Sequence, residues 1–167
     1  MDDAHDGPYA REPQIEDLAR ICRALNEAGA RYLLIGGFAV IARGGVRTTK
    51  DIDLLIDPSP ENVARVKQAL RILEDHAVDD VADDDVARYA VVRVADEVVV
   101  DLMASACGVD YAAAVKDVQA LTLGGVSVPV ASLSTLIRTK TTMRPSDAAD
   151  RAFLEELLKA HGRRTPE

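Results

Sequence analysis

The sequence predicts a single α/β (α+β) domain built on a mixed, partly antiparallel sheet packed by helices. Three observations predict it. Apolar stripes at helical spacing alternate with short runs rich in Val, Ile and Leu. Two pairs of those runs are separated by only a few turn residues, as antiparallel hairpins require. And 167 residues of which 48% are hydrophobic suffice for one well-packed core, with no repeat or low-complexity linker to divide it.

Along the chain, residues 1–12 read as a flexible tail and residues 13–162 as the domain, whose last part, 132–162, is helical. Ile15, Leu18, Cys22 and Leu25 recur at helical spacing, and Gly29 is a natural stop. Arg31 to Ile35 reads as a first strand ending at Gly36-Gly37, and Phe38 to Ala42 as a short helix closed by Gly44-Gly45. Asp51 to Ile56 is a second strand. Ile52, Leu54 and Ile56 face its core, while Asp51, Asp53, Leu55 and Asp57 lie on the other side. Ser59-Pro60-Glu61 opens the next helix with an N-cap hydroxyl, proline at the first helical position and an acid in the first turn; its stripe is Val63, Val66, Leu70 and Leu73. Residues 89–94 and 97–103 read as two strands around a tight turn at Ala95-Asp96. A helix follows Asp110, and residues 121–130 form a hairpin turning at Gly124-Gly125. Ser132 can cap the first of two C-terminal helices. Pro145 separates it from the second, with the stripe Phe153, Leu154, Leu157 and Leu158.

Composition narrows the function classes. A formal net charge of −8 argues against tight, non-specific binding to nucleic acid but permits a local basic patch. Much of the acidity lies in residues 74–85, EDHAVDDVADDD, which reads as a solvated loop. No apolar run approaches the roughly 18 residues needed to span a bilayer, and the acidic start lacks a signal peptide's basic flank, so a cytoplasmic protein with no membrane partner is expected. Cys22 and Cys107 are isolated and expected to be reduced and buried. His5, His76 and His161 are too scattered for a zinc site.

The stretch from Leu33 to Asp57, LLIGGFAVIARGGVRTTKDIDLLID, carries the chemistry. Asp51 and Asp53 point to one face of their strand, because side chains alternate with period two. Carboxylates that close repel unless something neutralises them, and hard oxygen ligands suit Mg²⁺. The glycine pair before a helix start leaves backbone N–H groups to cradle phosphate. Together these features read as nucleotide chemistry. A plain strand–turn–helix with a solvated acidic edge is the competing reading. Arg43, Arg47 and Lys50 flank the loop and the acidic strand, where they can meet phosphates or an acceptor, or serve only as solvated charges.

The pattern Ile35-Gly36-Gly37 followed by Asp51-Ile52-Asp53-Leu54 resembles the signature of the DNA polymerase β-like nucleotidyltransferase superfamily. That resemblance implies a third carboxylate on a neighbouring strand. Asp101 is the one downstream acid embedded in an apolar strand-like run, Val98 to Met103. It also implies transfer of a nucleoside monophosphate from an NTP to a hydroxyl, with release of pyrophosphate. On this reading Asp51 and Asp53 hold two Mg²⁺ ions, Asp101 binds the second and can take the proton, and Gly36 and Gly37 contact the phosphates. The later stretch LIRTKTTMRPSDAADRAFLEEL resembles a Lys, Arg, Asp-x-x-Asp pattern of small AbiEii-like nucleotidyltransferases, many of them encoded in toxin–antitoxin or phage-defence modules. It implies that Lys140 contacts the triphosphate and that Asp147 or Asp150 orients the nucleotide or a nearby arginine. Two acids in a helix's first turn also suit its macrodipole without any such role. AbiEii-type proteins are usually longer, with a larger C-terminal helical region than these residues contain.

Three functions follow. The first is a Mg²⁺-dependent nucleotidyltransferase acting on a macromolecule, tRNA or protein, with a cognate toxin or antitoxin partner. The second is a small-molecule enzyme of the aminoglycoside or lincosamide type, whose cationic acceptors fit an acidic chain; residues 74–85 can supply part of its acceptor cleft. The third is a non-catalytic nucleotide-binding or antitoxin-like module.

Overall fold

The computed structural model of the chain describes residues 10–164. Most of the expected N-terminal tail, with His5, lies outside them. The first helix, α1 (Ile15–Glu27), buries Leu18, Ile21, Cys22 and Leu25 completely on one face. Each such burial stabilises the fold by about 1.5–3 kcal/mol before entropy is counted. The Asp17 carboxylate accepts the Gln14 N–H at 2.7 Å and the Arg11 guanidinium at 2.7 and 2.8 Å. At the other end Gly29, at φ +71°, lets its own N–H reach the Asn26 carbonyl and the Ala30 N–H reach the Leu25 carbonyl. This is a Schellman stop, and it needs a left-handed residue.

Strand β1 (Tyr32–Ile35) passes directly into α2 (Gly36–Ala42), with no loop between them. Then come β2 (Asp51–Ile56) and α3 (Pro60–Leu70), whose cap Ser59 accepts the Asn62 N–H. A short α4 (Asp85–Arg88) precedes β3 (Val92–Ala95) and β4 (Val99–Met103). A small hairpin of β5 (Ser105–Ala106) and β6 (Val109–Asp110) leads into α5 (Tyr111–Ala114), which Asp110 caps through the Ala113 N–H at 2.9 Å. Strands β7 (Gln119–Leu123) and β8 (Val126–Val130) form the hairpin at Gly124-Gly125, and α6 (Leu133–Arg138) and α7 (Pro145–Arg164) follow.

The six-stranded sheet runs β3-β4-β2-β1-β8-β7. The β2–β4 and β1–β8 pairs are parallel and the rest antiparallel, so the sheet is mixed as expected. Every residue of β1 and β4 is buried, which suits strands covered on both faces. The same holds at one end of β2. Leu55, expected on the polar face, is wholly buried, and the β5–β6 hairpin contacts this strand. Only the Asp51–Asp53 end stays open.

Four other expectations are corrected. Ala95 pairs with Val99, so the β3–β4 turn is the three residues Asp96 to Val98 rather than Ala95-Asp96. Asp96 leaves the strand because its buried carboxylate accepts the N–H groups of Asp75, Ala77 and Glu97 at 2.9, 2.8 and 2.7 Å. Residues 74–85 are accordingly not just a solvated loop. They include a 3₁₀ turn over Ala77–Asp80 and plug Val78 and Val81 into the core, with Val86 following from α4. Cys107 is exposed rather than buried, because it sits at φ +48° in the β5–β6 turn; Cys22 is buried, and both are free thiols. Finally, of the α7 stripe only Leu154 is fully buried, and Leu158 is 40% exposed.

Candidate active site

Strand register assembles the site. Ile35 pairs with Asp53 across β1–β2, Asp53 with Asp101 across β2–β4, and Asp101 with Arg93 across β4–β3. The row runs straight over four strands. Asp51, two residues before Asp53, shares its face. Asp51, Asp53 and Asp101 each present a carboxylate oxygen within 4.8 Å of the others.

Three acids so close disturb one another. Burial, then the charges of Asp51 and Asp101, push the Asp53 carboxyl up to about 7, with Lys140 and Arg144 only partly offsetting them. Three converging hard carboxylates are a donor set that fits an ion of the Mg²⁺ class. Gly36 closes the near side. Its φ of +75° turns the chain from strand to helix, and a Cβ there would fall 2.1 Å from the Asp53 Oδ2. Only glycine fits. Beside it, a Cβ on Gly37 would lie 2.7 Å from the Thr49 Oγ1.

The opposite wall comes from the α6–α7 connection. The Lys140 side chain is 7% exposed, and a buried ammonium must be paired. It lies 3.0 Å from Asp150 and 3.7 Å from Asp147. Arg47 reaches over from the α2–β2 loop to ion-pair with Asp150. Thr142 donates its hydroxyl to Asp147, and Arg144 approaches the same carboxylate at 3.4 Å. Burial pushes the Asp147 carboxyl up, but the Thr142 hydroxyl, Lys140 and Arg144 outweigh it and hold it below the ordinary carboxylate range.

An open cleft of about 310 Å³ lies between the walls, lined by Gly36, Asp51, Asp53, Asp101, Lys140 and Asp147 among others. Of the other residues singled out in the sequence, Gly37 and Arg47 stand behind this lining, and Lys50 is exposed next to Asp51. Arg43 turns away to donate to the Ala131 carbonyl at 2.6 Å. Residues 74–85 do not line the cleft.

Arg93 was not foreseen, although it lines the cleft. Its Nε and Nη2 donate to the two Asp101 oxygens, both at 2.9 Å, and Nη2 reaches the Asp51 Oδ2 at 3.1 Å. The signal available was a basic residue on the strand hairpin-paired with that of Asp101. Arg144, the arginine of the Lys, Arg, Asp-x-x-Asp pattern, also lines the cleft, as does Thr142, which carried no sequence signal beyond its closeness to Lys140.

An acidic floor facing a basic, hydroxyl-bearing wall can seat a cation and a polyphosphate together. The family model described as nucleotidyl transferase AbiEii toxin, type IV toxin–antitoxin system, matches residues 18–152. The chain belongs to this family. Membership in the AbiEii nucleotidyltransferases makes the chain a transferase of a toxin–antitoxin family, as the motifs at residues 33–57 and 136–154 imply. The matched span contains every site residue named above. A search among curated proteins found no match. No described helix is long and apolar enough to cross a membrane.

Proposed function

We propose that this chain moves a nucleoside monophosphate from an NTP to a hydroxyl of a macromolecular acceptor, tRNA or protein, within a toxin–antitoxin module. The observation that carries the reading is the four-strand row in which Ile35, Asp53, Asp101 and Arg93 stand side by side, with Gly36 against Asp53 and Lys140 across the cleft. Asp51, Asp53 and Asp101 would hold Mg²⁺, as two ions, whose chemistry is to neutralise triphosphate charge and make the acceptor hydroxyl more acidic. The chain's own residues do the rest. Gly36 and Gly37 orient phosphate oxygens through backbone N–H groups. Lys140, held by Asp147 and Asp150, sets its ammonium against the triphosphate, and Arg47 braces that arrangement through Asp150. Lys50 stands at the rim for the nucleotide. An Asp101 carboxylate oxygen takes the proton from the attacking hydroxyl. The working unit is residues 13–162, acting in the cytoplasm beside a cognate antitoxin.

Purified protein with Mg²⁺ and each NTP labelled at the α-phosphate, offered total tRNA, lysate protein and an aminoglycoside panel, tests this. Label entering tRNA or protein and lost in Asp53→Ala supports the proposal. Asp53-dependent label in the drug panel moves the assignment to small-molecule transfer. Binding of Mg²⁺-NTP without transfer to any acceptor assigns a binding module.

A further inference from the structure

Arg93 engages both oxygens of Asp101 and one of Asp51, atoms that a cation held between the two acids would share with it. A guanidinium and a divalent cation sharing those atoms would repel at a few ångströms. The contact is built into the sheet. Arg93 stands directly across β3–β4 from Asp101, where side chains of an antiparallel pair meet. It also has somewhere to go. β3 is an edge strand, and the Arg93 side chain is 32% exposed and lines the open cleft.

We infer that Arg93 is a built-in competitor for the divalent cation: its guanidinium neutralises Asp51 and Asp101 in the metal-free protein and must leave them when the ion binds. The inference rests on the metal-site reading above. It makes Arg93 a residue that sets ion affinity rather than a ligand. Bare cation is bound weakly, so the ion enters together with the triphosphate that carries it. The displaced guanidinium then faces the same cleft, where phosphate oxygens offer it new acceptors.

Mn²⁺ alone, titrated into chelator-treated full-length protein and followed by the paramagnetic signal of the free ion, tests the inference. Arg93→Gln is expected to bind Mn²⁺ about fivefold or more tightly than the wild type, because a partly exposed charge pair has been removed from the site. Its metal-free unfolding midpoint should fall, and Mn²⁺ should raise that midpoint by more than in the wild type. Arg93→Lys keeps the charge but loses the fork on Asp101, so it should also bind more tightly, by a smaller factor; it carries the test if Arg93→Gln does not fold. Equal or weaker binding in the variants overturns the competitor role and leaves the metal site standing. No Mn²⁺ binding by any of these proteins overturns both.

Discussion

Gly36 and Asp53 meet so closely across the β1–β2 pair that the Asp53 Oδ2 occupies almost the place a side chain on Gly36 would need, 2.1 Å from its Cβ. The strand-to-helix turn and the central carboxylate are therefore one steric unit. Anything that moves one moves the other.

Gly36→Ala is accordingly expected to cost about 2–3 kcal/mol of stability, from left-handed strain and the clash together. Displacing Asp53 by an ångström or so should lower transfer at least 100-fold, roughly, in the fraction that still folds. Urea unfolding and the label-transfer assay read the two effects separately. Full activity in the folded mutant would show that Asp53 need not stand where it does.

Asp53 is pushed from its ordinary 3.8 up to about 7. Between those values the folded protein keeps a proton that the unfolded chain has released, so metal-free stability should fall as the pH rises through the window. Asp53→Asn should remove that slope and, above neutrality, stabilise the metal-free protein by about 1–2 kcal/mol while abolishing transfer. Denaturant melts from pH 5 to 8 in chelator check this. A wild-type profile that is flat, or that rises, contradicts it.

Asp150 holds Lys140 and Arg47 at once. Asp150→Ala should cost about 3 kcal/mol, because it strips a buried ammonium of its nearest counter-charge. Asp147 behaves differently. Its lowered pKa contributes stability that is present above the ordinary carboxylate value and lost only as the pH falls below it. Acid unfolding of Asp147→Asn should therefore begin from a lower plateau and show a shallower acid limb than the wild type.

Asp96 serves as a control outside the cleft. Asp96→Ala leaves three N–H groups without their acceptor and should cost about 2–3 kcal/mol. Mn²⁺ affinity should be unchanged in the folded protein. An affinity change of more than a few-fold would mean that the β3–β4 turn sets the register on which the site depends.

Much of this was legible in the residues. The glycine pair, the alternation of Asp51 and Asp53 with apolar neighbours, and an acid inside Val98–Met103 are local patterns, and local patterns survive without tertiary knowledge. Arg93 was hidden by one turn. A two-residue turn at Ala95-Asp96 pairs Val94 with Glu97 and sets Ala90 opposite Asp101; the three-residue turn sets Arg93 there. The three-residue turn goes with Asp96 bonding to Asp75 and Ala77, contacts about twenty residues long that no local pattern reports. The role of Arg47 was likewise ambiguous, since its ion pair with Asp150 joins segments 103 residues apart. Cys107 defied expectation because its exposure follows from a left-handed turn rather than from its side chain.

The parallel pairing of β2 and β4 has a consequence for how such a site can change over time. The spacing between Asp53 and Asp101 is a rung of the backbone ladder, fixed by the peptide repeat and not by the bulk of surrounding side chains. A one-residue slip would turn the acid to the opposite face. The separation of the acids is thus stepped, like teeth on a rack, with no half-positions for drift to explore. Adjustment of the site has to come instead from parts that do not count rungs, such as the α6–α7 connection that carries Lys140 and the edge strand that carries Arg93.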